Sequence, residues 1–274
     1  MCIAGFVWLS HHAYPLILLM NRDEYHNRPT RPVGWWEDGE VVGGRDEVSG
    51  GTWLACSGGG RVAFLTIVLE NHTNPNAKSR GDLPVLFLKS TKSPKEFAEE
   101  LVKLAYQYNG FNLIVGDLLS NTMMYISNRP KGEALNVQEV SPGIHVLANA
   151  KLDSPWHKAK RLGDNLKALY RKRDNAYLPI KEMQKLMRDT VKDDIEGLPH
   201  IWPLDVEFSL SSIYNEADRP RGRYGTRSTS LLTVKADGEV SFQEMYLEEG
   251  IWKEKNVKYY IKHPQSTCKH RSKL

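Results

Sequence analysis

Two short apolar runs open the chain, residues 2–9 and 15–20, joined by the polar stretch Ser10-His11-His12-Ala13-Tyr14. Runs of this length that are continuous rather than alternating read as strands buried on both faces, and the short join makes them an antiparallel hairpin. The second run delivers Asn21-Arg22-Asp23-Glu24 at its end. In a hairpin the end of the second strand lies beside the start of the first, so Arg22 and Asp23 are expected next to Cys2. His11 and His12 fall in the predicted turn and read as solvated.

From residue 27 to 36 the mixture of Pro, Arg and Trp predicts an irregular loop over a pocket, with Trp35 and Trp36 either lining that pocket or capping the core. Gly43-Gly44 and Ser49-Gly50-Gly51 punctuate the chain before a strand at 52–56. Gly58-Gly59-Gly60 predicts a turn, 61–68 a strand and 70–83 a polar loop. Ser93-Pro94-Lys95-Glu96 is a capping box with Pro at the first helical position, opening a helix to about residue 106. Strands are expected at 111–117, 122–127 and 144–148, the last ending at Asn149. Helices are expected from Ser154-Pro155 to residue 172 and over 180–195. Strands at 227–234 and 240–247 then flank a turn at Ala236-Asp237-Gly238. This order lacks βαβ alternation, which predicts one α+β domain with largely antiparallel sheets over residues 1–262 and a basic, disordered tail over 263–274.

Composition changes this picture little. At 274 residues, 41% hydrophobic and 26% charged, the chain is ordinary for a globular protein. The net charge of +4 is small and gathers in the tail and in the helix carrying Lys158, Lys160, Arg161, Lys167, Arg171, Lys172 and Arg173. That helix reads as a solvated face or, alternatively, an anion-facing one, and nucleic acid is not implied. Cys2, Cys56 and Cys268 form no CxxC pair and no zinc-type spacing with histidine, so no metal and no cofactor is expected. No apolar run reaches the roughly 18 residues of a membrane span, and the N-terminus lacks a secretory pattern, so an intracellular chain without a transmembrane segment is expected. The final Ser272-Lys273-Leu274 matches the address read by the peroxisomal import receptor.

One constellation carries chemistry. Removal of Met1 would leave Cys2 with a thiol of pKa about 8.5 beside an α-amine of pKa about 8, a nucleophile with its own general base. Asp23 could then hold the ammonium, Arg22 support the thiolate, Asn149 donate to an oxyanion and Arg227 add positive charge. The same residues admit a plainer reading: a core thiol, a surface ion pair, a strand-end amide and a surface cation.

Met1-Cys2-Ile3 followed by Asn21-Arg22-Asp23-Glu24 resembles the signature of the NRDE family of transport and Golgi organisation proteins. The likeness continues in order through Gly50-Gly51-Thr52-Trp53-Leu54, Tyr108-Asn109-Gly110-Phe111-Asn112-Leu113, Asn149-Ala150 with Pro155-Trp156, and Tyr224-Gly225-Thr226-Arg227. It departs at Ile67, where members usually carry Asn after Thr, and at Ala148, where they carry Ser. The resemblance implies an N-terminal-nucleophile (Ntn) hydrolase-like fold, a four-layer αββα sandwich near the choloylglycine hydrolase and penicillin V acylase branch. It implies Cys2 as nucleophile, Arg22 and Asp23 as the Arg/Asp pair, Asn149 in the oxyanion hole and Arg227 as the late Arg. Because Arg22 and Asp23 are adjacent here, Asn21 and Glu24 stay open for the carboxylate-side role. Two functions follow as expectations. One is a cysteine hydrolase or acyltransferase acting on a non-peptide amide or acyl thioester, linked to lipid and acyl-CoA metabolism. The other is a non-catalytic protein that holds or traffics a lipid or haem ligand and supports Golgi and membrane organisation, in the cytoplasm or at the Golgi.

Overall fold

A computed structural model describes residues 1–171 and 178–262. The expected basic tail with Cys268 and Ser272-Lys273-Leu274, and the helix positions Lys172 and Arg173, lie outside the described residues.

Two antiparallel sheets face each other. The first has the order β10-β1-β2-β12-β13-β14, built from β1 (Ile3–Trp8), β2 (Leu16–Tyr25), β10 (Gly143–Leu147), β12 (Gly222–Val234), β13 (Glu239–Glu248) and β14 (Ile251–Tyr260), with β11 (Glu216–Arg219) paired to β12. The second runs in chain order through β3 (Thr30–Trp35), β4 (Val41–Asp46), β5 (Leu54–Ser57), β6 (Arg61–Ile67), β7 (Phe111–Asp117), β8 (Thr122–Ser127) and β9 (Asn136–Glu139). Helices α3 (His157–Arg171) and α4 (Ile180–Leu186) cover the first sheet, and α1 (Asp82–Lys89) and α2 (Pro94–Leu101) the second. A short α5 (Leu204–Ser209) sits beside the N-terminus. The result is the expected αββα sandwich.

The continuous apolar runs follow from this layering. Ala4, Phe6 and Trp8 of β1 and Leu16, Leu18 and Met20 of β2 enter the core between the sheets, whereas Ile3, Val7, Ile17 and Leu19 face the helices. Both faces are dry, so both alternating sets are apolar. The inter-sheet core closes on pairs such as Phe6 and Phe64, edge to face with centroids 5.3 Å apart, a geometry contributing about 1 kcal/mol beyond area burial. Gly5 permits the approach of α3: a Cβ there would lie 2.6 Å from Leu166 Cδ1.

Several expectations change. The segment after residue 27 is a strand, β3, with a register shift between Arg31 and Gly34, rather than a loop. Trp36 is buried and donates through Nε1 to the Gly43 carbonyl at 3.3 Å, while Trp35 is exposed against Tyr259, so the two divide between core and surface. The end of the expected loop over 70–83 forms α1, and the second of the two later helices stops at Leu186. His11 is buried, its Nδ1 accepting from the Ala13 N–H at 3.1 Å, because it folds back over the hairpin turn and packs on Tyr14 and Tyr170.

Candidate functional site

β1 and β2 pair with Ile3 opposite Asn21, so the first residues of the chain lie beside Arg22 and Asp23 as the hairpin argument requires. The four residues Asn21 to Glu24 lie within β2 rather than beyond its end, because β12 pairs with them on the other side. A strand sends neighbouring side chains to opposite faces. Arg22 therefore enters the space between the sheets, its guanidinium 4.2 Å from the centre of the Trp53 ring and 3.4 Å from Asp46. Asp23 turns the other way. Adjacency in sequence thus separates the Arg/Asp pair in space.

Asp23 is the electrostatic centre. Its Oδ2 accepts from the N-terminal ammonium of Met1 at 2.6 Å and from Asn215 Nδ2 at 2.7 Å, and its Oδ1 from Thr226 Oγ1 at 2.8 Å. The Tyr224 hydroxyl accepts a second bond from the Met1 ammonium at 3.1 Å. The backbone N–H of Asp23 donates to Cys2 Sγ at 3.4 Å. Cys2 is half-buried and Asp23 is buried. Burial lowers the pKa of the terminal ammonium, with Asp23 opposing the shift. Burial raises that of the Cys2 thiol, with the adjacent ammonium opposing, and pushes Tyr224 well above the ordinary phenol value. Asn21 is excluded from a carboxylate-like role by its own bonds: Nδ2 donates to the carbonyls of Met187 at 2.8 Å and Ile213 at 3.0 Å, and Oδ1 accepts from Thr229. Glu24 is engaged with Arg28 at 3.8 Å.

Asn149 and Arg227 sit further out. No hydrogen bond or ion pair joins either to Cys2 or Asp23 among the described residues. Asn149 Nδ2 donates to the Ile67 carbonyl at 2.9 Å, leaving its buried Oδ1 without a partner. Its carbonyl accepts from Leu69 N–H at 2.9 Å, and Leu69 packs in the apolar cluster that holds Met1. Arg227 occupies the register shift of β12 between Thr226 and Ser228 instead of opening a strand. Its Nη1 donates to the carbonyls of Tyr25 and Arg28 and, at 3.3 Å, to Thr30 Oγ1, the hydroxyl that also accepts from Arg22 at 3.2 Å. Arg22 and Arg227 thus share one polar cleft, with the buried Glu244 in its wall.

Four residues of this neighbourhood were not singled out by sequence. Tyr224 and Thr226 stood within a family motif and were legible in principle, whereas Asn215 carried no signal. Lys158, read as part of a solvated face, is buried: it is 2% exposed and donates through Nζ to the Leu210 carbonyl at 3.1 Å. The described residues hold no cluster of His, Cys, Asp and Glu suited to a metal, and no helix among them is long and apolar enough to cross a membrane.

Solved structures share this fold. An N-acylethanolamine-hydrolyzing acid amidase ortholog from Caenorhabditis elegans is similar with a TM-score of 0.50 at 14% identity, covering 76% of this chain and 97% of that one. The C2A mutant of the conjugated bile acid hydrolase from Clostridium perfringens is similar with a TM-score of 0.51 at 8% identity, covering 94% and 96%. The fold is therefore Ntn-hydrolase-like. In sequence, the chain is 34% identical over 262 residues to the transport and Golgi organization protein 2 homolog of Bos taurus, covering 89% of this chain and 92% of the relative. It is 32% identical over 260 residues to the Homo sapiens homolog, with the same coverage. The Drosophila melanogaster protein of that name is 24% identical over 276 residues, covering 89% and 91%. The family model described as Transport and Golgi organisation 2 matches residues 1–249, and the chain belongs to that family.

Proposed function

We propose that this chain, once Met1 is removed, is an Ntn-type cysteine hydrolase or acyltransferase acting on a non-peptide amide or acyl thioester of lipid and acyl-CoA metabolism. The observation that carries the reading is the terminal ammonium seated on Asp23 while the Asp23 N–H donates to Cys2 Sγ. Loss of Met1 moves the terminus by one residue, about 3.8 Å between Cα atoms, and makes the Cys2 α-amine the cation nearest Asp23. Asn215, Thr226 and Tyr224 then hold the carboxylate and the amine in place. Burial lowers the pKa of the Met1 ammonium on Asp23; a Cys2 α-amine buried in the same seat is proposed to be shifted the same way, toward the neutral form needed as base.

In the acylation step the neutral α-amine takes the thiol proton and Sγ forms a bond to the substrate carbonyl carbon. The tetrahedral intermediate collapses, and the leaving amine or thiol departs with the proton returned by the α-ammonium. Water or an acceptor, deprotonated by the same amine, then cleaves the acyl-enzyme thioester. Asn149 keeps one amide hydrogen free of Ile67 and is the proposed oxyanion donor; Arg22 and Arg227 are proposed to hold positive potential behind the thiolate.

Intact mass gives the first test, since retained Met1 removes the α-amine from Cys2 and sinks this mechanism. With Met1 gone, an electrophilic acyl probe is expected to label the native chain and not Cys2→Ala; equal labelling of both overturns the reading. A second function has an observation of its own. Met1 is 4% exposed, its ammonium paired with Asp23 and its side chain packed with Leu69 and Leu210. A chain that keeps Met1 in this seat is proposed as a non-catalytic carrier of lipid or haem supporting Golgi and membrane organisation.

A further inference from the structure

Lys158 stands at the wrong place for a surface lysine. It lies on the apolar stripe of α3, four residues before Leu162 and eight before Leu166, both buried. It lines a largely apolar cleft with Met1, Trp156, Leu198 and Leu210, in whose wall the carboxylate residues Asp193 and Glu207 also stand. The only hydrogen bond it makes among the described residues uses one of its three N–H donors, on the Leu210 carbonyl.

The carboxylates around it are engaged elsewhere. Asp23 accepts from Met1, Asn215 and Thr226. Glu207 accepts the N–H groups of His200, Ile201 and Trp202 at 2.7–2.8 Å. Asp193 faces Arg161 Nη1 at 3.3 Å and His157 Nδ1 at 4.0 Å. Lys192, the other nearby ammonium, is tied to the Ser209 carbonyl and to Ser212 Oγ. No ion pair joins Lys158 to any carboxylate among the described residues. A buried ammonium without a counter-ion is costly, and an apolar cleft beside it offers a ligand the chance to supply one. Burial lowers its pKa, and nearby Asp23 and Asp193 oppose that shift.

Part of the cleft's wall is a short unbranched side chain at the terminus. Met1 lines the cleft, and its side chain packs against Leu69 and Leu210 with Trp156 and Tyr224 alongside. Removing Met1 adds to that cleft a volume four heavy atoms long, with Lys158 in its wall and the new terminus, Cys2, following Met1 in the chain. We propose that this volume is a ligand subsite for short-chain acyl compounds bearing an anionic group, carboxylate or phosphate, which Lys158 recognises. The inference rests on Met1 removal as proposed above and names the class of ligand for that site; Lys158 is a specificity-determining residue within it.

The test is calorimetric binding to the full chain released from a fusion so that Cys2 is the first residue, using pentanoate, n-butyl phosphate and neutral pentanamide. A charge-assisted hydrogen bond in a buried setting predicts at least roughly tenfold tighter binding of an anion than of pentanamide. The tighter of pentanoate and butyl phosphate identifies the headgroup. Lys158→Met, close in volume, is expected to bind all three within about twofold, and Lys158→Arg to keep the preference; thermal melting of both variants checks that they fold. Equal binding of pentanamide and the anions by the native chain, or an anion preference surviving in Lys158→Met, overturns the proposal. Anion binding does not need the thiol, so Cys2→Ala is expected to keep it. A chain that binds anions through Lys158 but is never labelled by an acyl probe therefore upholds this inference and sinks the enzyme reading. Labelling of Cys2 with no anion preference does the reverse.

Discussion

Replacing Asp23 by Asn isolates the charge at the centre of the site. The amide keeps the volume, and its oxygen can still face Met1 N and Asn215 Nδ2 while its NH₂ turns to Thr226, whose hydroxyl can accept. What is lost is the counter-ion of a buried ammonium. Breaking one partner of a buried pair costs about 3–5 kcal/mol, and for a chain of this size each kcal/mol lowers Tm by roughly 2–4 °C. A cost of about 3 kcal/mol therefore predicts a drop of roughly 6–12 °C near pH 6. The pH dependence has a definite sign. Burial holds the folded ammonium pKa below its unfolded value, and Asp23 opposes that shift. Between the two values the unfolded chain binds more protons, so stability rises with pH up to the unfolded pKa of about 8. Without Asp23 the folded pKa falls further and the window widens downward. The deficit of Asp23→Asn against the native chain should be largest at low pH, shrink as pH rises through the native chain's lowered ammonium value, and be at its minimum by about pH 8, where the folded amine is neutral in both chains and needs no counter-ion. Urea denaturation of both chains near pH 6 and near pH 9 measures it. A deficit below about 1 kcal/mol near pH 6, or one unchanged at high pH, refutes the assignment of Asp23 as the counter-charge.

Three further outcomes test the surroundings. Gly44→Ala places a Cβ 2.3 Å from the Trp53 ring that carries the Arg22 guanidinium, so thermal melting should show a loss of about 1–3 kcal/mol, and a variant melting with the native chain would mean the ring yields freely. Burial raises the Glu244 carboxyl pKa, with the Val33 N–H bond opposing, so the stability that proton uptake gives the folded chain is lost as pH rises through the raised value. Glu244→Gln should therefore compare better with the native chain near pH 8 than near pH 5 in urea denaturation, and the opposite trend counts against a desolvated carboxyl. Burial pushes the Cys56 thiol up to about 12, so iodoacetamide near pH 8 should leave Cys56 intact in the folded protein, as read by peptide mass; modification before unfolding contradicts the packing described.

Where the sequence succeeded, local physics decided the outcome. The paired apolar runs of β1 and β2 and the Ser93 capping box need no distant partner to be read. Where it failed, a tertiary contact overrode the local signal. Gly43 and Gly44 look like punctuation but lie in β4, because a Cβ at either would strike Ala55 or Trp53 across the sheet. The polar stretch over 70–83 reads as a loop to its end, yet α1 begins at Asp82, with Pro84 tolerated in its first turn and Leu83, Phe87 and Leu88 buried. β14 was missed because it is a Lys- and Glu-bearing edge strand, the composition that protects an open edge and that also mimics a loop. Lys158 shows the reverse error. Its spacing to Leu162 and Leu166 placed it on the buried stripe from the outset, and only its charge argued for solvent.

The candidate site is assembled by topology more than by motif. β12 lies between β2 and β13, so residues some two hundred positions apart in the chain become neighbours: Thr226 pairs opposite Asp23, and Tyr224 and Asn215 follow it to the N-terminus. Among the described residues, Cys2 enters this network through the backbone of Asp23 and the covalent link to the terminal amine. The thiol is thus a passenger on geometry that Asp23 fixes, and its reactivity is set by which residue carries the amine. With Met1 in place the amine and the thiol belong to different residues, and Met1 walls the cleft beside Lys158. With Met1 removed they share Cys2, the cleft widens by the volume of the Met1 side chain, and Lys158, buried and without a carboxylate partner among the described residues, lines the enlarged space.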